Sequence, residues 1–335
     1  MGTRGRLQGV PPAGRHTAKA IVALATVTAL VAGPHQDQPT YRAAARLVVV
    51  QVTVTDGHGD LVSDLDQDAF TVREDGTAQS IAVFRRDDVP VSVGILIDNS
   101  GSMRDKRRTV EAAALAFVGA SNPQDEVFVM NFADEPRLDV PFTMSLAHIK
   151  AGIARLDSLG GTAMRDAIDA ATTYLSAHAT RDRRALLLVT DGRDNASVTT
   201  TAALQAHVEQ SGAVIFAVGL LAGESPAQAA RARRDLDDST NPSGGRAFFP
   251  NRLEEIDAIV LQIAQQLRRQ YTIAYTPRNQ ALDGSYRKIQ VVARGAPHLK
   301  VRTRAGYVAR PDGTTARPPA VAKAPGFDSR GIGPR

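Results

Sequence analysis

The fold of this chain is decided by the stretch Val91-Ser92-Val93-Gly94-Ile95-Leu96-Ile97-Asp98-Asn99-Ser100-Gly101-Ser102-Met103. An apolar run of this kind is typical of a strand that is buried on both faces of a parallel sheet. The run ends in an Asp-x-Ser-x-Ser cluster, which would lie at the carboxyl end of the strand, where open α/β sheets bind their ligands. One carboxylate and two hydroxyls offer only oxygen, so the cluster favours a hard cation such as Mg²⁺.

Two further segments strengthen this signal, which is weak by itself because Asp, Ser and Gly are also ordinary turn residues. The first is Leu159-Gly160-Gly161-Thr162-Ala163-Met164, a glycine-hinged turn that delivers one hydroxyl just before a helical pattern. The second is Ala185-Leu186-Leu187-Leu188-Val189-Thr190-Asp191-Gly192, an apolar strand that ends in Asp-Gly. The order of the three segments favours one site that is built from three loops.

In this order the three segments resemble the von Willebrand factor A-type domain and its metal-ion-dependent adhesion site. In that family the first loop supplies Asp, Ser and Ser, the second loop supplies Thr, and the third supplies Asp. The resemblance implies a metal ligand set of Asp98, Ser100, Ser102, Thr162 and Asp191. It also implies a protein-binding function of the adhesion type.

The chemistry of this ligand set suits an ion that stays open to a partner. Mg²⁺ prefers octahedral oxygen coordination and dehydrates reluctantly. Five donors with two carboxylates do not quench the ion fully once some of them act through water. A coordination position and some positive charge then remain for an exposed Asp or Glu of a protein ligand. Mn²⁺ and Ca²⁺ also accept oxygen ligands, so the residues do not select one metal. The alternative is a pair of ordinary βα turns in which Ser and Thr only cap helices.

Composition and charge exclude several classes of function. The chain has 335 residues and no Cys, which rules out disulfides, thiolate metal sites and a Cys nucleophile. Its formal charge is +5, but residues 1–33 carry +4 and residues 310–335 carry +3, so the remaining residues carry about −2. A nucleic-acid-binding protein needs a basic stripe on its fold and aromatic stacking surfaces. Trp is absent, and we expect no nucleic-acid partner.

The motifs of common enzyme classes are missing from the sequence. There is no Gly-x-x-x-x-Gly-Lys-Ser/Thr loop, no Gly-x-Gly-x-x-Gly after the first strand, and no Gly-x-Ser-x-Gly elbow. A haloacid dehalogenase needs a second Asp two positions after Asp98, where this chain has Ser100. We therefore expect a binding module and no enzyme. Two alternatives stay open: a Mg²⁺-dependent phosphate-ester hydrolase, and a cytoplasmic partner of a remodelling ATPase.

The two ends of the chain have their own patterns. Residues 1–33 combine a basic region with an apolar stretch that is too short to span a bilayer, which is typical of a signal peptide. We expect a secreted or periplasmic protein, with an uncleaved membrane anchor as the competing interpretation. Residues 34–44 are predicted to be a linker. Residues 310–335, rich in Pro, Gly and Arg, are predicted to be a disordered tail.

Between these ends the pattern predicts two interleaved domains. Residues 90–270 alternate apolar strands with helical patterns, which include Met164–His178 and Leu253–Arg269. This alternation predicts a doubly wound, mostly parallel α/β sheet with right-handed crossovers. Residues 45–89 and 271–309 each contain three predicted strands, and we expect them to form one small β-sandwich into which the α/β domain is inserted. Pieces such as Phe70-Thr71-Val72-Arg73-Glu74-Asp75-Gly76 resemble the bacterial group named the VWFA-related acidobacterial domain.

Two polar segments each allow two interpretations. The segment Asp64-Leu65-Asp66-Gln67-Asp68 imitates the start of a calcium-binding EF-hand loop, but Ala69 stands where that loop needs Gly. We therefore expect a solvated acidic turn there. Asp194 and Asn195 closely follow the third loop. They either shape the rim of the site or cap the following helix.

Overall fold

The computed structural model describes residues 47–154, 160–192, 194–295 and 297–311, together with the backbone of residues 322–323. The predicted signal peptide or anchor, the predicted linker and most of the predicted tail lie outside these ranges. Among the described residues, no helix combines the length and the apolar character needed to cross a membrane.

The described residues form strands at both ends and alternating strands and helices in the middle. In chain order the strands are β1 (Val48–Thr55), β2 (Phe70–Glu74), β3 (Thr77–Gln79), β4 (Ile81–Arg85), β5 (Val91–Asp98), β6 (Glu126–Phe132), β7 (Pro136–Thr143), β8 (Arg183–Thr190), β9 (Val214–Gly219), β10 (Ala247–Phe248), β11 (Tyr271–Tyr275), β12 (Tyr286–Ala293), β13 (Lys300–Arg302), β14 (Gly306–Val308) and β15 (Ala322–Lys323). The α-helices are α1 (Arg107–Ala120), α2 (Leu146–Ile153), α3 (Met164–His178), α4 (Thr201–Ser211), α5 (Pro226–Thr240) and α6 (Ile256–Arg268). Short 3₁₀ helices cover Gln67–Ala69, Gly101–Lys106, Asn241–Ser243 and Leu253–Glu255.

The central sheet has the strand order β10-β9-β8-β5-β6-β7-β15. The first five strands in this order are parallel to one another. β7 runs antiparallel to β6, and β15 adds a two-residue parallel pairing to β7. The prediction of a doubly wound, mostly parallel sheet is confirmed. Since β5 pairs with a parallel strand on each side, its carboxyl end lies in the middle of the sheet edge.

Both faces of β5 are buried because its side chains alternate between two helical layers. Ile95 and Ile97 lie in a core shared with α1 and α6, whereas Leu96 lies in the core on the opposite face, shared with α3 and α4. Every residue of β5 is buried. The two layers explain the apolar run, and they hold Asp98 rigidly at the end of the strand.

Gly94 gives space to a ring from the neighbouring strand. A Cβ atom at this position would lie 2.3 Å from Cζ of Phe128 and 2.5 Å from Cδ2 of Leu186. We expect Gly94→Ala to lower the free energy of unfolding by about 1–3 kcal/mol, because the added methyl group overfills a close-packed core. Chemical denaturation measures the loss. Gly119→Ala is the control, since a Cβ there meets none of the described atoms within 4 Å. Equal losses in both variants would contradict the packing argument.

The flanking strands form two four-stranded antiparallel sheets with the orders β13-β1-β11-β4 and β14-β12-β2-β3. Each sheet combines strands from before and after the α/β domain. The sheets share one core, whose members include Val50, Val72, Tyr271, Ile273 and Ile289. The prediction of a β-sandwich built from amino-terminal and carboxyl-terminal strands is therefore confirmed.

Some details differ from the sequence-based expectation. β3 and β14 have three residues each, which is too short for a recognisable alternation of polar and apolar side chains. The helix predicted over 253–269 begins as a 3₁₀ turn, and α6 starts at Ile256. The acidic side chains of the segment at 64–68 are exposed, the segment runs into the 3₁₀ turn at Gln67–Ala69, and Asp66 pairs with Arg86 at 3.1 Å. This contact fits a solvated turn.

Candidate metal centre

The carboxyl ends of β5 and β8 lie side by side at one edge of the central sheet. Ile97 of β5 is in register with Val189 of β8, so Asp98 lies beside Thr190. The Thr190 hydroxyl donates a 2.6 Å hydrogen bond to Oδ2 of Asp98, and Asp191 is the next residue. Adjacent parallel strands end at the same edge of a sheet, which is why these two aspartates, far apart in the chain, become neighbours.

The first loop folds back on Asp98. Oδ1 of Asp98 accepts a 2.9 Å hydrogen bond from the backbone N–H of Ser100. The hydroxyl of Ser100 lies 3.1 Å from the hydroxyl of Ser102, within the 3₁₀ turn that leads into α1. The three predicted ligands of this loop therefore lie together directly after the strand.

Burial dominates the electrostatics of Asp98, which has no exposed surface. Loss of hydration raises the pKa of its carboxyl to about 6, hydrogen bonds from Ser100 and Thr190 lower that pKa, and the neighbouring Asp191 charge raises it. The negative charges of Asp98 and Asp191, which are buried neighbours, repel each other in a medium of low polarity. The site is therefore electrostatically suited to a cation.

Asp191 is the member of the site whose hydrogen-bonding capacity is unused. Its side chain is fully buried, and neither carboxylate oxygen accepts a hydrogen bond from any residue that the structure describes. Nζ of Lys106 lies 3.6 Å from Oδ2 of Asp191. A buried charged oxygen without a hydrogen bond is costly. The donor set fits a hard divalent cation, and a cation held by Asp191 would offset this cost.

Backbone bonds bring the second loop to the same edge. Thr162 is buried, and its carbonyl accepts bonds of 3.0 and 3.2 Å from the N–H groups of Asn195 and Ala196. Oδ1 of Asn195 accepts a 2.8 Å bond from the Thr162 N–H. A Cβ at Gly161 would lie 2.6 Å from that Oδ1, so glycine permits the close approach. Thr162 is thus fastened to the loop after Asp191, and all five predicted residues lie at one edge of the sheet.

For Asp194 and Asn195 the sequence left two roles open, which were shaping the rim of the site and capping the following helix. Oδ2 of Asp194 accepts a 2.9 Å bond from the backbone N–H of Arg165 in the first turn of α3. Asp194 therefore caps α3, which precedes it in the chain, and Asn195 joins the second and third loops. Asp166 fastens the same loop by accepting two further backbone bonds. No local pattern marks these contacts, because their partners are about thirty residues apart.

A buried arginine also supports the first loop. Arg107 at the start of α1 donates to the side-chain oxygen of Asn99, the residue between Asp98 and Ser100. It also donates a 2.8 Å bond to the carbonyl of Ile153, the last residue of α2. The position of the first loop is therefore coupled to the end of the helix that precedes the second loop.

The composition of the candidate set distinguishes it from a typical cluster of charged metal ligands. In the described part of the chain, no three His, Cys, Asp or Glu side chains come together as such a cluster. The candidate set instead combines two carboxylates with three hydroxyls. All five donors are oxygen, which favours a hard cation over a soft one. Ligation by these residues stays a prediction.

Solved structures similar to this chain are distant in sequence. A von Willebrand factor type A protein from Catenulispora acidiphila is 17% identical, covers 80% of this chain and 74% of its own, and gives a TM-score of 0.45. The corresponding domain of a type V pilus tip protein from Porphyromonas gingivalis is 15% identical, with 54% and 97% covered and a TM-score of 0.44. Proximal thread matrix protein 1 from the mussel byssus is 15% identical over 54% of this chain, with a TM-score of 0.46, and the match spans about half (49%) of its length. A search of curated proteins found no match.

A family match identifies the central domain. Residues 93–193 match the family described as the von Willebrand factor type A domain. The matched segment begins in β5 and ends just after Asp191, so it includes every predicted ligand. Its strand order, with β5 between β8 and β6, agrees with the doubly wound sheet that the resemblance implies. This chain contains a von Willebrand factor type A domain.

Proposed function

We propose that this protein is a divalent-metal-dependent protein-binding module of the adhesion type, in which a partner's carboxylate completes the coordination of Mg²⁺. The observation that carries the proposal is the state of Asp191. Its two oxygens are buried and accept no hydrogen bond from the described residues, and the buried Asp98 carboxylate lies beside it. Ordinary βα turns give no reason to bury two adjacent carboxylates, whereas a cation site requires them.

The proposal uses all five candidate donors. Five side chains would hold the ion directly or through water: Asp98, Ser100, Ser102, Thr162 and Asp191. A bound Mg²⁺ supplies an open coordination position for a carboxylate oxygen of the partner. Two carboxylates formally balance the divalent ion, but donors that act through water do not quench its charge locally, so the ion still attracts an Asp or Glu. Mn²⁺ or Ca²⁺ would serve the same role with oxygen donors.

The wider setting of the module is also a proposal. Type A domains often act in adhesion and protein interaction, which favours a protein partner and a non-enzymatic role. The near-neutral charge of the residues between the two basic ends argues against nucleic acid. The signal-like pattern of residues 1–33 favours a secreted or periplasmic protein, with a membrane contact only if that segment is an uncleaved anchor.

Metal titration of the purified, EDTA-treated protein tests the proposal. Calorimetry is expected to show Mg²⁺ binding, and the melting temperature is expected to rise with Mg²⁺ concentration, because a ligand that binds only the native state stabilises it. No response to Mg²⁺, Mn²⁺ or Ca²⁺ would contradict the proposal. Mg²⁺-supported phosphatase activity that Asp98→Asn removes would favour the hydrolase alternative.

Replacing Asn195 with alanine is expected to weaken Mg²⁺ binding by about tenfold to a hundredfold, as is usual when a residue that orients a metal ligand is removed. Oδ1 of Asn195 accepts a 2.8 Å hydrogen bond from the Thr162 N–H. Without this bond the second loop, which carries Thr162, is held less firmly. The Asn195 residue is exposed, so the melting temperature of the metal-free protein should change little. Calorimetry and thermal melts measure the two effects.

Asn279→Ala is the matched control for this variant. Oδ1 of Asn279 accepts a similar backbone bond, 3.1 Å from the N–H of Ala281, but this turn follows β11 in the sandwich. We expect unchanged Mg²⁺ binding in the control. A similar loss of affinity in both variants would show that Asn195 does not position Thr162.

A further inference from the structure

Lys106 is a basic side chain that lies against one of the candidate ligands, Asp191. It ends the 3₁₀ turn of the first loop, and its Nζ lies 3.6 Å from Oδ2 of Asp191. Nζ also donates a 3.3 Å hydrogen bond to the carbonyl of Leu220, just after β9. The Lys106 side chain is 19% exposed, whereas the Asp191 side chain is fully buried. The Lys106 side chain therefore reaches solvent in part, whereas Asp191 does not.

The contact between Lys106 and Asp191 is electrostatic and does not give the carboxylate a hydrogen bond. At 3.6 Å the pair is too long for a hydrogen bond, and both Asp191 oxygens lack hydrogen-bond donors among the described residues. The ammonium donates instead to the Leu220 carbonyl. Lys106 thus offsets the buried negative charge without occupying the oxygens that a metal ion would bind.

We propose that Lys106 is an internal counter-ion, which neutralises Asp191 in the metal-free protein and opposes the entry of the divalent cation. The inference rests on the proposed metal-binding function and concerns how that same site is regulated. The Lys106 ammonium and a divalent cation cannot both lie against the Asp191 carboxylate without cost, because their positive charges repel each other at short range. Metal binding must therefore weaken the Lys106–Asp191 attraction, and the site holds its ion less tightly than its carboxylates alone would.

Lysine suits this role for physical reasons. Its charge is compact and strongly hydrated, and its stem is long and flexible. Because part of the side chain already reaches solvent, the ammonium can withdraw while the backbone of the loop stays in place. A purely structural ion pair makes a different prediction for metal affinity, which would stay unchanged or fall when the Lys106 charge is removed.

The test is the Lys106→Met variant of the full chain, with Mg²⁺ as the probe. Met keeps most of the apolar stem and removes the charge. We expect Mg²⁺ affinity to rise by on the order of tenfold, the scale expected when one nearby charge is removed from a buried site. The melting temperature of the metal-free protein is expected to fall, so Mg²⁺ produces a larger thermal shift than in the unmodified protein.

Two variants separate this effect from a general change in charge. Lys150→Met removes an exposed charge on α2 and should leave Mg²⁺ affinity unchanged. Lys106→Arg keeps the positive charge, so its Mg²⁺ affinity should stay near that of the unmodified protein. If Lys106→Met does not fold, Lys106→Gln provides the same comparison and retains a donor for the Leu220 carbonyl.

The outcomes distinguish this inference from the proposed function. Mg²⁺ binding by the unmodified protein, with equal or weaker binding by the neutral Lys106 variants, overturns the counter-ion role alone. An equal gain in Lys150→Met also overturns it, because the effect would then be non-specific. No divalent-metal binding by the unmodified protein overturns both proposals.

Discussion

The Asp98→Asn variant is expected to lose Mg²⁺ affinity by at least about a hundredfold, which corresponds to about 2.7 kcal/mol. Asp98 is one of only two carboxylates in the candidate set, and it is fully buried at the end of β5. An amide oxygen carries no net charge, so its attraction to a divalent ion is much weaker. The Mg²⁺-dependent rise in melting temperature should disappear at concentrations that saturate the unmodified protein.

The fold is expected to survive this substitution. The Asn side chain has the same shape, and its oxygen can accept the 2.9 Å bond that the Ser100 N–H donates to Asp98. Removing the charge also relieves repulsion from Asp191. The metal-free variant should therefore melt at or above the temperature of the unmodified metal-free protein. A variant that melts far lower would mean that its lost metal response reflects unfolding.

The control for this prediction is Asp182→Asn, which neutralises an exposed carboxylate in the turn before β8. It should keep the full Mg²⁺ response. Calorimetric titration of the two variants side by side measures the difference. An unchanged metal response in Asp98→Asn would count decisively against Asp98 as a ligand.

The Arg183→Met variant is expected to lose about 3–5 kcal/mol of stability, because each buried acceptor that is left without its donor costs about 1–3 kcal/mol. Arg183 begins β8 and is only 2% exposed. Its guanidinium donates bonds of 3.2, 3.3 and 2.9 Å to the carbonyls of Asp87, Leu267 and Gln270. It donates a fourth bond, of 3.1 Å, to the hydroxyl of Thr272.

The positions of these acceptors explain the size of the effect. Asp87 lies where the chain enters the α/β domain, and the other three lie where α6 passes into β11 of the sandwich. One side chain therefore joins both connections between the two parts of the fold. Met fills a similar volume but donates nothing, so buried carbonyls lose their partners. Chemical denaturation measures the shift of the unfolding midpoint.

Arg184→Met is the matched control for Arg183→Met. The Arg184 guanidinium donates one long hydrogen bond, of 3.5 Å, to the carbonyl of Ser211. We expect its removal to lower the free energy of unfolding by less than about 1 kcal/mol. Arg183→Lys should recover only part of the stability, because one ammonium cannot reach four acceptors. Similar losses in the Arg183→Met and Arg184→Met variants would contradict the special position of Arg183.

Long and regular patterns made much of the fold predictable. α3 spans the predicted range, Met164–His178, because its apolar positions repeat with the helical period. β5 was predicted because burial on both faces requires a nearly continuous apolar run. β3 and β14 were missed because three residues carry too little pattern.

The candidate ligands were implied by the family resemblance, which rests on short local motifs. Each lies next to the end of a strand or the start of a helix, so its position depends on local sequence. Lys106 and Arg183 carry no local signal in the sequence, and Asn195 was open there to two interpretations, as part of the rim or as a helix cap. Their roles depend on partners that are between about 30 and 110 residues away in the chain.

The sequence by itself determined the alternation of strands and helices, the segments that form the sandwich, and the loops that carry the five candidate ligands, because burial and strand-end spacing are local properties of the chain. Only the tertiary structure decided that Asp191 is buried without hydrogen bonds from the described residues, that Lys106 faces it, and that Asn195 holds Thr162. The physical reason is that charge pairing and desolvation depend on which distant segments pack together, and no periodicity in the sequence records that packing.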